Sequence, residues 1–144
     1  MFSPANHVHF SLTIEDLEHD LQVLSFTGTE GISQPYAFDI DLVSEKPDLD
    51  LETLLHKQAF LALDANGSGI HGQIHRIAQA ATGKRLTRYR LTLVPQLSYL
   101  KHRTNQRIYQ KMSVPKIIAL LLDEHGIKSN AYSFQLSQPC PDRD

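Results

Sequence analysis

The sequence contains no tryptophan, a single cysteine and no long apolar run. Cys140 has no second cysteine to pair with, and prolines flank it in an irregular tail. A free surface thiol is the simplest interpretation, with an intermolecular disulfide or a reactive thiol as alternatives. No stretch approaches the roughly 18 apolar residues of a membrane span, and the N-terminus lacks the basic and apolar regions of a signal peptide. The sequence therefore predicts synthesis and folding in the cytoplasm.

Acidic residues are missing from residues 65–122, a segment that carries ten Lys and Arg residues, whereas residues 1–64 carry twelve acids and two bases. We expect acidic and basic strands to lie side by side and to neutralise each other within or between subunits. Docking of a partner is the alternative, because complementary charge orients association. Nucleic-acid binding is disfavoured, since the bases are spread over alternating strands without a recognition motif. Arg88 and Arg90 are the candidate interface residues, and reversing both to Glu should impair assembly but not the isolated fold.

A turn followed by a half-buried strand is predicted in residues 26–45. Gly28, Gly31 and Pro35 favour a bend between Phe26 and Tyr36. From Tyr36 to Val43, apolar and polar residues alternate with the two-residue period of a sheet that is wet on one face.

Further strands and one short helix are predicted from alternation and turn residues. Asp48 or Asp50 can cap a helix that runs through His56. The sequence Asn66–Gly69, with Gly67 at its centre, predicts a hairpin turn. The other predicted strands are Val8–Ile14, Leu21–Phe26, Phe60–Asp64, Ile70–Ala80 and Leu86–Val94, with Tyr132–Leu136 as a further candidate.

The strongest helix pattern begins at Ser113, whose hydroxyl can cap free backbone amides, and ends at Gly126 in the position where glycine stops helices. Apolar residues recur at helical spacing between them, which gives one narrow apolar face. The elements together predict a mainly β (α+β) fold: a small antiparallel β-barrel with one short and one longer amphipathic helix.

No motif indicates chemistry. His71 and His75 have the spacing of zinc ligands on a helix, but no Glu lies between them to act as a base, and the segment has a strand pattern. Surface or interface histidines are the favoured interpretation. Asp39 and Asp41 share one strand face and could pair for acid/base chemistry or bind calcium, although a solvated face explains them better. Neither a nucleophile elbow nor a phosphate-binding loop is present. We therefore predict no enzyme activity, no metal and no cofactor.

The amino-acid sequence of Phe26–Glu45 closely resembles the N-terminal hub module of the VgrG spike proteins of type VI secretion systems. These proteins are relatives of the central baseplate hub of contractile phages. Four further segments follow in the family's order: His71–Ile77, Tyr89–Leu97, Arg107–Gln110 and Ser113–Ile127. The resemblance covers most of residues 8–130. It implies a tube-type barrel at residues 1–100, and a linker, helix and start of the next hub segment at residues 101–144. On this basis the chain is expected to be a truncated copy or a fragment.

The resemblance also implies a structural role. A VgrG hub forms a homotrimer that adapts the hexameric Hcp tube to the trimeric needle, and the type VI machine exports it without a signal peptide. The alternative is an adaptor module that binds an effector without assembling into a hub.

Overall fold

The computed structural model describes residues 10–18 and 21–143. The chain divides into two compact units, residues 1–95 and 96–144. Val8 and His9, in the predicted first strand, lie outside the described residues.

The first unit is one antiparallel sheet. Its strands are β1 (Ser11–Ile14), β2 (Gln22–Gly31), β3 (Gln34–Ser44), β4 (Gln58–Ala62), β5 (Gly69–Thr82) and β6 (Thr87–Val94), and a short helix α1 (Leu51–Leu54) precedes β4. The strand order across the sheet is β1-β4-β5-β6-β3-β2. Among the strands of the described residues, β6 comes last in the sequence and is nevertheless central, whereas β1 and β2 form the two edges.

The core fills the concave side of this sheet. Tyr89, Leu91 and Leu93 alternate along β6 and are fully buried, as the sequence predicts. Across from them, Ile40 pairs with Leu91 and Leu42 with Tyr89. The Tyr89 hydroxyl donates a hydrogen bond of 2.8 Å to the Lys46 carbonyl, so this buried polar group is satisfied.

The sheet curls into a half-barrel. Phe10, just before β1, packs edge to face on Phe26 of β2 with ring centroids 4.9 Å apart, so the two ends of the sheet approach each other. Within the described residues the edge strands are not hydrogen-bonded to each other. The predicted class, a mainly antiparallel β fold of barrel type with few helices, is confirmed.

The predicted bend between Phe26 and Tyr36 is wrong in extent. β2 continues to Gly31 and β3 begins at Gln34, so only Ile32 and Ser33 form the turn, and Ser33 rather than a glycine has positive φ (62°). Gly28 lies within β2 opposite Phe38, whose ring occupies the place that a Cβ at Gly28 would take. Pro35 lies in β3 before the pairing with β6 begins at Phe38, so its missing N–H interrupts no hydrogen bond to that strand.

Two further boundaries differ from the prediction. Asp50 caps α1 by accepting from the Thr53 N–H at 3.4 Å, but the helix stops at Leu54, and His56 has φ 66°. β4 ends at Ala62 because the Asp64 side chain already belongs to the turn, where it accepts from the N–H groups of Asn66 and Ser68 at 2.8 and 3.0 Å. Gly67 completes that hairpin turn with φ 89°.

The second unit contains a 3₁₀ segment (Gln96–His102) and the helix α2 (Val114–Glu124). Ser113 precedes α2, but its hydroxyl makes no capping hydrogen bond; its carbonyl accepts from the Ile117 N–H at 3.1 Å. Gly126 follows the helix with φ 78°. The predicted strand Tyr132–Leu136 is not formed. Instead, the rings of Tyr132 and Phe134 pack on each other at 5.4 Å.

Candidate assembly surface

The convex side of the sheet, here called the outer face, carries the charged residues that alternate with the core. Asp39 and Asp41 lie on β3, and Arg88, Arg90 and Thr92 lie on the neighbouring β6. Arg90 is directly opposite Asp41, and Thr92 is directly opposite Asp39. The acidic and basic strands are therefore adjacent, as expected from the segregation of charge along the sequence.

Two side-chain contacts join these strands. The Arg90 Nε donates to Asp41 Oδ1 at 2.8 Å, and the Thr92 hydroxyl donates to Asp39 Oδ1 at 2.7 Å. The hydrogen bond from Arg90 is the main reason that the pKa of Asp41 lies below its ordinary value, with further help from the charge of Arg88. The same bond raises the pKa of Arg90. Because the two side chains are 65% and 40% exposed, the pair orients the surface more than it stabilises the fold.

Arg88 differs from Arg90. It is exposed and lies opposite Val43 on β3 and Ala81 on β5, and it forms no ion pair with any of the described residues. The two arginines therefore differ: Arg90 is paired with Asp41, whereas Arg88 is exposed and has no ion-pair partner among the described residues.

An apolar depression, here called the outer cleft, lies beside Arg88. It has a volume of about 360 Å³, and Leu24, Val43, Ala81 and Leu86 line it. A second depression of about 230 Å³ shares Val43 and Leu86. The cleft follows from an irregularity in β2, because the register shifts between Val23 and Ser25 and Leu24 is left half exposed. The sequence alone does not predict this cleft; its only trace there is the broken alternation of apolar and polar residues at Val23 and Leu24.

The hairpin of β2 and β3 presents a large apolar side chain to solvent. Ile32, at the tip, is 99% exposed, and the exposed Glu30 lies two residues before it. The tip extends beyond β6, whose pairing with β3 starts at Phe38. The exposed Ile32 and the extension of the hairpin beyond β6 were not predicted, because the sequence predicted a long bend in this segment.

His71 and His75 are not brought together as a ligand pair. The His71 ring packs against Phe60 with centroids 4.4 Å apart, and its carbonyl accepts a hydrogen bond from the Tyr36 hydroxyl. His75 lies at a second irregularity of the sheet, between Ile74 and Arg76. Over residues 10–18 and 21–143, no group of three or more His, Cys, Asp or Glu side chains is arranged to hold a metal ion.

The second unit has a larger cavity, of about 560 Å³, beside α2. Arg107 closes one side of it by donating from one nitrogen to both Glu124 oxygens at 2.7 Å, and this contact raises the pKa of Arg107. The cavity also borders Arg103, Tyr109 and His125. The ion pair connects the irregular segment before α2 to that helix. Within the part of the chain that the structure describes, no helix has both the length and the apolar character needed to cross a membrane.

The fold is that of a hub module of contractile machines. The structure superposes with a TM-score of 0.84 on the E. coli c3393 protein, a component of the type VI secretion system with structural similarity to the T4 bacteriophage tail proteins gp27 and gp5. The two are 27% identical, and the match covers 93% of this chain and 37% of that protein. The chain belongs to the phage tail baseplate hub (GPD) family, which it matches over residues 29–144.

Two relatives from Pseudomonas aeruginosa are the type VI secretion system spike proteins VgrG4b and VgrG5. They are 58% and 57% identical to this chain over its entire length. The chain spans 18% of the length of each. The resemblance to the N-terminal hub module of VgrG spike proteins, derived from the sequence, is therefore confirmed.

Proposed function

We propose that this chain is the leading part of a type VI secretion hub and acts as a structural element without catalytic activity. In this role it assembles as a homotrimer and adapts the hexameric Hcp tube to the trimeric needle that follows. Its mechanical task is to present a rigid curled wall, whose outer charges and apolar groups are covered by neighbouring subunits.

The observation that carries the proposal is the structural match of 93% of this chain to a type VI secretion component, together with 58% identity to a spike relative over the entire chain. The surface supports it in two ways. The long edge strand β2 has one hydrogen-bonded neighbour, β3, among the described residues, and so leaves backbone groups open on its other side. The outer face also carries an apolar cleft beside Arg88, which has no ion-pair partner in the described part of the chain; such a combination is typical of contact surfaces.

Size-exclusion chromatography with light scattering tests the assembly part of the proposal. We expect a concentration-dependent increase in mass above that of one 16.3 kDa chain, and co-elution with hexameric Hcp. A chain that stays monomeric at millimolar concentration and does not bind Hcp would contradict the hub function and favour an adaptor that captures an effector.

The proposed route of the protein follows from the same role. We expect loading onto the machine in the cytoplasm and export through it. The measurement is the amount of the protein in culture medium of cells with and without a working type VI sheath. Equal export from both strains would contradict this route.

A further inference from the structure

The hairpin tip and the outer cleft form a complementary pair that one chain cannot satisfy by itself. Leu24 in the cleft and Ile32 at the tip both belong to the β2–β3 hairpin. Eight residues separate them, and at the rise of an extended strand this is about 26 Å. Among the described residues, Ile32 is the most exposed of the large apolar side chains, and the strand β2 keeps it away from the apolar depression that could receive it.

The charges beside the two features are also complementary. Glu30 accompanies Ile32 at the tip, and Arg88 borders the cleft. Neither side chain forms an ion pair within residues 10–18 and 21–143. An isoleucine flanked by an acid therefore matches a cleft flanked by a base, and both halves of the match are present in the same sequence.

We propose that Ile32 of one copy of this chain inserts into the outer cleft of a second copy, where Glu30 of the first faces Arg88 of the second. The proposal rests on the hub function above and names the contact through which copies associate. Because the donor and acceptor surfaces differ, the contact is heterologous and can repeat from one copy to the next.

The apolar part of the contact is tested with two variants of the full chain that each lose one half. Ile32→Asp removes the inserted side chain, and Leu86→Asp makes the cleft polar. If circular dichroism shows that Leu86→Asp is unfolded, Leu24→Asp is used as the cleft variant instead. Each variant alone should dissociate on the order of 10- to 100-fold more readily than the unaltered chain, because burial of an isoleucine is lost. Mixed together, they retain one intact tip and one intact cleft and should form a species of two chains that grows no further.

The charged part is tested by exchange. Glu30→Arg and Arg88→Glu should each weaken self-association several-fold at low salt, and the double variant should recover most of the loss because the charges are exchanged across the contact. Ile108→Asp and Lys101→Glu are matched controls, since Ile108 is 91% exposed and both residues lie outside the tip and the cleft. Neither should alter association.

The outcomes separate this contact from the hub function. Self-association that persists unchanged in Ile32→Asp and in the cleft variant would overturn the contact and leave the hub function standing. A chain that remains monomeric without any substitution would overturn the contact, and it would overturn the hub function as well if it also fails to bind Hcp. Binding of an effector to the cleft, with self-association unaffected by cleft variants, would also overturn the proposed contact.

Discussion

At the scale of single residues, Gly28 shows how a side chain on the neighbouring strand can require a glycine within a strand. The Phe38 ring lies over Gly28, in contact with Phe26 and Tyr36 at centroid distances of 6.2 and 5.8 Å. We expect Gly28→Val to lower the free energy of unfolding by about 1–3 kcal/mol, because the new side chain must displace this ring from a packed core. Urea unfolding followed by circular dichroism measures the change. Thr27→Val, on the opposite face of the same strand, should have little effect, and equal stability of Gly28→Val would contradict the packing argument.

Tyr89 is the buried residue whose hydroxyl links the sheet to the chain after β3. Tyr89→Phe keeps the ring in place and removes the hydrogen bond to the Lys46 carbonyl. The loss should be about 0.5–1.5 kcal/mol in the free energy of unfolding, the usual net value of such a bond. The comparison is Tyr132→Phe, because the Tyr132 side chain is partly exposed and its known contact is made through the ring. If both variants unfold at the same urea concentration as the unaltered chain, the bond does not contribute to stability.

At the scale of secondary-structure elements, the end of α2 depends on the backbone of Gly126. With φ at 78°, any residue with a Cβ is strained there, although the space itself is open, since the nearest atom would be Gln96 Nε2 at 3.6 Å. Gly126→Ala should therefore lower the free energy of unfolding of α2 by about 1 kcal/mol, as followed by the helical circular dichroism signal in urea. Gly126→Asn should recover part of the loss, because asparagine tolerates this conformation. A loss as large for Asn as for Ala would indicate a steric cause instead.

The pairing of β3 with β6 has a pH dependence with a defined sign. The pKa of Asp41 in the folded chain lies below its ordinary value of 3.8, so its contribution is present above that pH and is lost as the pH falls through the folded value. Asp41→Asn should flatten the decline in stability below about pH 4 at low salt. The difference should be small, and it should shrink further at high salt because both groups are exposed. Urea midpoints between pH 2 and 7 measure it, and identical acid profiles would contradict the assignment.

Local patterns were enough to predict most elements of the sheet, and non-local contacts explain the errors. Alternation defined β6 and most of β3, and Asn66–Gly69 defined the hairpin between β4 and β5. Gly28 and Pro35 were wrongly predicted to lie in a bend. Gly28 fits its strand because the ring of Phe38 fills the space beside it, and Pro35 fits because β6 does not extend far enough to pair with it. The outer cleft could not be predicted, since it requires Leu24 and Leu86 to meet across three strands. Alternation along the strand was enough to predict that Arg88 and Arg90 lie on one face. That Asp41 is the partner of Arg90 follows only from the register between β3 and β6.

At the scale of the whole chain, the six strands and the buried apolar cluster all lie within the first compact unit. We therefore expect residues 1–95 to fold alone, with a β-type circular dichroism spectrum and one cooperative urea transition. The boundary predicted from the sequence lies at residue 100, so a matched piece of residues 1–100 is the comparison. A disordered spectrum for both pieces would show that the sheet needs the second segment.

The position of β6 also has a consequence for the order of events on the ribosome. Of the six strands that the structure describes, β6 is the last to be synthesised, yet it lies between β3 and β5 and joins the two halves of the sheet. Until Val94 has left the exit tunnel, β3 and β5 lack the strand that pairs with both of them in the folded sheet, so each has an open hydrogen-bonding edge. Late insertion of a central strand is slow, because its contacts join residues that are far apart in the sequence. We therefore expect incorrect strand pairing between copies of this protein to be most frequent before β6 has inserted.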